Sequence, residues 1–456
     1  MPTDSAPPFR GRDGIFSINY SKINMTFFNL ENPETYTESC LRLARSFLAD
    51  FDTPAQVALA AERLNAYPNL DVLQAPKSVR ILEDSEGLSE LGRRAVLEGH
   101  IFWEHPIAGE ATRLGLGRKF FLTPAVLARQ GASLGCLPVG AYVNLLPINL
   151  GFRHLLELLL EIKNLAEQSG LDPKVVLSRQ KMLIISTGDD TVDLERLIVK
   201  TLSSILPQEN LLFMVQSVFH GLNRIPGGDW FFDPASPRRL HNHGQMVMQK
   251  TMDRQIYYLD LSGQRVFLDR SSFFSLLNDF EDLISYNIED LDFLNRALDV
   301  EALGLAVRLG RSGYGMIMEI TPNNPDRPIK GGMCACDPVL GRDVVVESFR
   351  LGEMPPRDIK FINKNFNHYF RPARVLELLR EKGLFMPVLV DDDRVYFQPV
   401  QGDLNFLTKT AFFARRRAQP LNSLKSSVDI PAALAAMGTQ DGRSGFRQIV
   451  EKVGLI

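Results

Sequence analysis

The chain has 456 residues, 45% of them hydrophobic and 23% charged, with a formal net charge of −3; this excludes a fibrous or disordered protein and leaves room for two or three domains around a large core. So even a balance carries no general basic field, which argues against nucleic acid as a partner and makes any phosphate binding local. Four cysteines, Cys40, Cys136, Cys334 and Cys336, are too scattered for a disulfide framework, no secretory signal is read ahead of the first helix, and the apolar runs are too short or too interrupted to cross a bilayer. A cytoplasmic protein without a membrane partner is therefore expected.

The first thirty or so residues are polar, contain Pro and Gly, and read as a loosely attached arm. Asn32-Pro33-Glu34 then supplies an N-cap, a proline at the first helical position and an acid in the first turn, ahead of apolar Leu41, Leu43, Ala44, Phe47 and Leu48. Thr53-Pro54 repeats the device for a helix reaching about Leu64. Residues 1–95 are expected to form an arm and a helical packing segment.

From Glu98 the pattern changes. Ile101, Phe102 and Trp103 read as a buried strand, and Ala108, Gly109 and Ala111 let the backbone after it turn tightly and approach a ligand. Backbone N–H groups in such a turn, followed by Arg113 and Lys119, make a concave cationic pocket suited to a polyphosphate. A glycine turn beside an Arg and a Lys is also a common solvated surface. Neither G-x-x-x-x-G-K-[ST] nor a helix-opening G-x-G-x-x-G is present, so P-loop and dinucleotide-binding readings lose their main support.

Residues 151–171 read as an amphipathic helix, and 181–185 as a buried strand that ends in the polar run 186–191, ahead of a helix near Asp193. Residues 210–215 give another strand with Gln216 at its carboxyl end, the side on which open α/β sheets bind ligands. The strand at 283–287 runs into Glu289 and Asp290, and that at 343–346 into Glu347; each carboxylate alone is more often a helix cap or a solvated loop residue. A helix at 375–382, short strands at 386–390 and 395–400, and terminal helices at 432–437 and 446–453 make up a smaller C-terminal domain over 373–456. The alternation of strands and helices predicts a mainly parallel three-layer α/β sheet over 96–372.

AGEATRLG at 108–115, followed by Lys119, resembles the nucleotide-binding signature LAGGxGTRLG and PK of the UDP-sugar pyrophosphorylases. The preceding SELGRRAVLEGHI resembles the helix and strand that lead into it. The resemblance continues in order through IISTGDDT, FMVQ, HNHGQ, YNIEDL, VVVESF, FINKNFNHYF and YFQPVQGDL. It implies an α/β fold of the nucleotide-diphospho-sugar transferase type (three-layer, Rossmann-like, mixed sheet), with an N-terminal helical segment and a small C-terminal domain.

Carried across one position at a time, the resemblance implies that Ala108 and Gly109 lie near the uracil while Arg113 and Lys119 meet the triphosphate. Gln216 would read the pyrimidine edge, its amide offering one donor and one acceptor. Asn242 and Gly244 would contact the nucleotide and His243 the sugar phosphate; Glu347 and Asn365 would take the sugar. Glu289 and Asp290 would bind Mg2+ through oxygen. Lys330-Gly331-Gly332 approximates a sugar loop. The chain departs from the family pattern at Ala108, Ala111 and Asn242, which replace glycines, at Arg118, which replaces a proline, and at Glu289 and Asp290, which replace Asp and Asn. Gln401 stands where a phosphate-contacting lysine is usual; Arg118 or the basic stretch from Arg371 to Arg374 is available to compensate.

The implied activity is uridylyl transfer: UTP and a sugar 1-phosphate give a UDP-sugar and pyrophosphate. No convincing catalytic triad is read from the sequence, and this chemistry needs none. Two other readings stay open, a nucleotide-binding regulatory protein that keeps the fold with weakened chemistry, and a UDP-sugar-dependent glycosyltransferase, whose D-x-D motif is matched only weakly by Asp50 to Asp52 and Asp290 to Asp292. The letters His241-Asn242-His243 also occur in a nuclease module, but the ββα-metal context of that module is missing from this α/β pattern.

Overall fold

The computed structural model describes the chain apart from residues 1–14, 21–22, 29–33, 83–85, 110–113, 189–190, 217, 220, 234–238, 241–242, 327, 329–330, 392 and 417–422. A twelve-stranded sheet forms its centre. In the Ile101–Pro106 strand all six residues are buried, Ile101 and Trp103 in one core and Phe102 in the other. Because both faces are covered, the strand opens on the unbroken apolar run Ile101-Phe102-Trp103, and the buried Glu104 that follows is ion-paired with Lys250.

Leu211–Gln216, Lys181–Thr187, Ile101–Pro106 and Asp282–Ser285 are parallel neighbours in that order. Met316–Pro322, Thr410–Arg415 and Val79–Leu82 run parallel in the other half. Phe361–Phe370 joins the halves and is antiparallel to both neighbours. The sheet is therefore mixed, where the alternating pattern suggested a mainly parallel one. The reason lies in the connection: a parallel return needs a crossover of a dozen or more residues, usually a helix, and between Met316–Pro322 and Phe361–Phe370 the described residues form a hairpin, Met333–Asp337 with Arg342–Val346, and short 3-10 turns.

Helices cover both faces. Glu86–Leu97, Leu150–Gln168, Val300–Arg311, Ile430–Asp441 and Phe446–Lys452 contribute Leu88, Leu155, Leu305, Leu434 and Phe446 to one core. Glu34–Phe47, Pro54–Asn65, His243–Gln249, Arg270–Leu277 and Pro372–Lys382 contribute Leu43, Val57, Met246, Phe273 and Leu376 to the other. The caps follow the sequence: Thr53 accepts from the Gln56 N–H and Asn149 from the Phe152 N–H. The cap expected at Asn32-Pro33 lies outside the described residues.

The two ends of the chain are built into this body. Val79–Leu82 and Thr410–Arg415 pair inside the central sheet, so it draws on all three segments, 1–95, 96–372 and 373–456. Arg153 is completely buried and donates to Asp441 at 2.7 Å, to Gln440 at 2.9 Å and to the Leu146 carbonyl at 2.9 Å, which fastens the Ile430–Asp441 helix to Leu150–Gln168. Ile15–Tyr20 and Ile23–Phe28 form a hairpin whose second strand pairs with Leu384–Phe385, in place of the loose arm expected there. Among the described residues no helix is long and apolar enough to cross a membrane.

Candidate functional site

The site is assembled at the carboxyl ends of the parallel strands. After Ile101–Pro106 the Ile107 N–H donates to the Ile185 carbonyl at 2.8 Å, and Ala108, 8% exposed, leads into Gly109. Residues 110–113 lie outside the described region, and with them Ala111 and Arg113 of the expected loop. The chain returns through Gly115 and Gly117, both at positive φ, a conformation that costs glycine least. The Lys119 N–H then donates to the Gly109 carbonyl at 3.0 Å, closing the loop on itself.

Lys119 is nearly buried, and its ammonium is ion-paired with Glu289 Oε2. The other oxygen of Glu289 lies 3.3 Å from Lys425 Nζ. The turn that presents Glu289 is fixed by Asn287, whose side chain accepts from the Glu289 N–H at 3.2 Å and whose carbonyl accepts from the Asp290 N–H at 3.0 Å. Asp290 points elsewhere. It is 1% exposed, Oδ1 accepts from the Asp292 N–H at 3.0 Å, and Oδ2 is enclosed with no hydrogen-bond partner. Burial, with Asp292 adding to it, pushes its carboxyl up to about 7.

Gln216 ends its strand as the sequence suggested, 5% exposed, and donates from Nε2 to Gln245 Oε1 at 3.4 Å. Gln245 rides on the His243–Gln249 helix, which is set against a second turn: the Gly244 N–H donates to the Pro399 carbonyl at 3.2 Å. A Cβ on Gly244 would stand 2.3 Å from the Pro399 carbonyl carbon and 2.4 Å from the Val400 nitrogen, so only glycine permits this approach. Asn242 lies outside the described residues, and the His243 side chain is likewise not described.

The same turn continues into the 3-10 helix Gln401–Phe406 and meets Glu347. A Cβ on Gly402 would be 2.3 Å from Glu347 Oε1. The turn is bolted to the Arg342–Val346 strand by Asn405, which donates to the Val345 carbonyl at 3.1 Å, and to the 3-10 turn Ser348–Arg350 by Arg350, which donates to Asp403 at 2.9 Å. Glu347 is half-buried; burial, with the neighbouring Asp403, pushes its carboxyl up to about 7, while Arg350 and Lys425 act against the rise. Gln401, where the sequence resemblance expects a lysine, is 6% exposed, with its amide beside the Tyr369 hydroxyl.

Contacts thus lead from Gly109 through Lys119 to Glu289 and Lys425, and from Gln216 through Gln245 and Gly244 to Gly402 and Glu347. Of the sequence-assigned residues, Ala108, Gly109, Lys119, Gln216, Gly244, Glu289 and Glu347 belong to this arrangement. Asp290 does not reach it. The Asn365 side chain is not described, but Asn363, two residues earlier on the same strand, stands beside Glu347: a Cβ on Gly332 would be 2.8 Å from Asn363 Oδ1 and 3.4 Å from Glu347 Oε2. Sequence reasoning missed Asn363, although the two-residue period of a strand puts it on the face of Asn365. It also missed Lys425, which no motif announces.

On the other face of that strand Lys364 is buried, 3.5 Å from Asp292 and 3.4 Å from Glu319. Arg415 holds Glu319 by two bonds of 2.9 and 3.0 Å. For a divalent cation the donor set is sparse: among the described residues no group of three or more His, Cys, Asp or Glu side chains comes together. One cleft-side carboxylate, Glu289, fits an ion carried mainly by phosphate oxygens and water better than one caged by protein.

No family model and no curated protein matches this chain. Solved structures do match it. It is similar to the uridine diphosphate N-acetylglucosamine pyrophosphorylase from Trypanosoma brucei in complex with an inhibitor, at 14% identity and a TM-score of 0.55, over 89% of this chain and 82% of that one. It is also similar to a mutant UDP-glucose pyrophosphorylase from Leishmania major in complex with UDP-glucose, at 14% identity and a TM-score of 0.52, over 88% of this chain and 76% of that one. The chain has the α/β fold of these proteins.

Proposed function

We propose that the chain is a uridylyltransferase of the pyrophosphorylase type, which joins UTP to a sugar 1-phosphate and releases pyrophosphate. The observation that carries the reading is Lys119, whose N–H returns to the Gly109 carbonyl and whose ammonium is held on Glu289, with Gln216 and Glu347 at the ends of other strands of the same sheet. The fold shared with proteins named for UDP-sugar chemistry supports it.

In this reading a phosphate oxygen of the sugar 1-phosphate attacks the α-phosphorus of UTP. A P–O bond forms there, the bond to the β-phosphate breaks in line, and the electron pair leaves with pyrophosphate. The attacking phosphate monoester is already largely ionised at neutral pH, so no Ser, Cys or His nucleophile is required. Catalysis is then positioning and charge neutralisation. Lys119 exchanges Glu289 for phosphate oxygen, and Arg113 keeps the triphosphate role the sequence assigns to it. Gln216, oriented by Gln245, recognises the uracil edge, while Glu347 and Asn363 accept from and donate to sugar hydroxyls. Mg2+, when bound, would neutralise phosphate oxygens with Glu289 as its carboxylate ligand.

Pyrophosphate release with UTP, Mg2+ and a panel of sugar 1-phosphates is the test. Turnover on at least one sugar is expected. The neutral, buried Gln401 favours a second reading, a nucleotide-binding regulator, and UTP binding without turnover on any sugar would select it.

A further inference from the structure

We infer that Lys425 is the cation that meets the sugar-linked phosphate, in the role left open by the neutral Gln401. This rests on the uridylyltransferase reading and extends it by one residue. Lys425 is 3.3 Å from Glu289, on the carboxylate oxygen opposite the one held by Lys119. It is also close enough to Glu347 for its charge to act on that carboxyl. An ammonium between the proposed nucleotide wall and the proposed sugar wall stands where the phosphate shared by the two substrates would pass.

Its backbone is fixed while its side chain is accessible. Ser423 bridges to Asp290, the Leu424 N–H donates to the Glu289 carbonyl at 2.8 Å, and the Lys425 N–H donates to Asp429 Oδ2 at 2.9 Å. The side chain is 41% exposed, and a solvent-facing ion pair of this kind contributes little net stability. Exchange of Glu289 for a doubly charged phosphate is therefore readily driven.

Other cations fit the role less well. Arg350 is fully buried, spent on Asp403 and stacked 3.8 Å over the Phe385 ring. The Arg371 to Arg374 stretch lies at the wrong end of the sheet. The Arg371 N–H donates to the Glu281 carbonyl, and Phe370 pairs with Asp282, at the start of the strand whose other end leads to Glu289. Arg118 adjoins Lys119 in the loop on the nucleotide side.

The test compares UMP with UDP by calorimetric titration, because the second phosphate of UDP stands in for the sugar-linked one without requiring the sugar to be known. Wild type is expected to bind both, UDP more tightly. Lys425→Gln is expected to weaken UDP about tenfold, the size of a lost charge-assisted contact, and to leave UMP within about twofold. Lys425→Arg should retain most of the UDP preference, and Gln401→Lys in the Lys425→Gln background should restore it. Unchanged UDP binding by Lys425→Gln, an equal loss of UMP and UDP, or no restoration by Gln401→Lys would overturn the assignment while leaving the uridylyltransferase reading intact. Failure of wild type to bind either nucleotide would overturn both.

Discussion

Lys119 and Glu289 are ion-paired although they stand 170 positions apart in the chain. The pair holds the loop against the Ile288 turn before any ligand arrives, and it stores the cation where phosphate charge would enter. Truncation at Lys119 should therefore affect the reacting state more than the bound one. Lys119→Ala is expected to lower kcat by about 10²-fold, in the range seen when one preorganised electrostatic group is removed, with UMP affinity changed only a few-fold. Steady-state pyrophosphate release alongside UMP titration measures both, and an unchanged kcat would remove Lys119 from the chemistry.

Gly244 is the contact point between the helix carrying Gln245 and the turn carrying Gln401. A methyl group there collides with backbone atoms of Pro399 and Val400, which cannot swing aside as a side-chain tip does. Gly244→Ala is expected to cost about 1–3 kcal/mol, as overpacking does, and to raise KM for UTP by displacing the Gln245 support of Gln216. Thermal melting and UTP kinetics check the two effects together.

Glu347 gives a pH signature. Its carboxyl is raised to about 7 from an ordinary 4.5, chiefly by burial. Between these values the folded chain holds a proton that the unfolded chain has released, so this group's contribution to stability declines as pH rises through the window and is level above it. Asp290, which also titrates near 7, is common to wild type and variant and cancels in the comparison. Glu347→Gln should gain in melting temperature relative to wild type between pH 4.5 and pH 8; a difference that is flat with pH would contradict the burial argument.

Arg153 tests the attachment of the C-terminal helices. Its guanidinium has no exposure and its partner Asp441 is mostly covered. Arg153→Leu takes the neutralising charge from the Asp441 carboxylate, which keeps only the Leu146 N–H at 2.8 Å, at a cost of about 3–5 kcal/mol by the precedent of broken buried pairs. Denaturant unfolding measures it, and limited proteolysis should first cut near the Ile430–Asp441 helix.

The sequence was informative where one periodic element decides a residue's address. Gln216 ends a strand, and Glu347 follows one, because the apolar run stops there and the sheet fixes which end faces the cleft. It was less informative where the address depends on a return of the chain from afar. Lys425 comes to Glu289 through backbone pairing of Ser423 with Asp290, and no spacing rule encodes that meeting. Asp290 looked equivalent to Glu289 as an acid at a strand end; the hydrogen-bonded turn at Asn287 directs the two apart, one to the cleft and one inward. The Phe361–Phe370 strand was hidden because its Asn, Lys and His residues break the apolar run by which the other central strands are read, and composition does not give a strand's direction.

Phe361–Phe370 sends Asn363 to one side and Lys364 to the other, and neither destination suits the other's side chain: an amide cannot neutralise Asp292 and Glu319, and the long lysine chain has no room where Asn363 already crowds Gly332 and Glu347. Losing or gaining a single residue just ahead of Asn363 would exchange the two at a stroke. Change along this strand is consequently confined to replacement at fixed length, while insertions and deletions must accumulate in the loops around it.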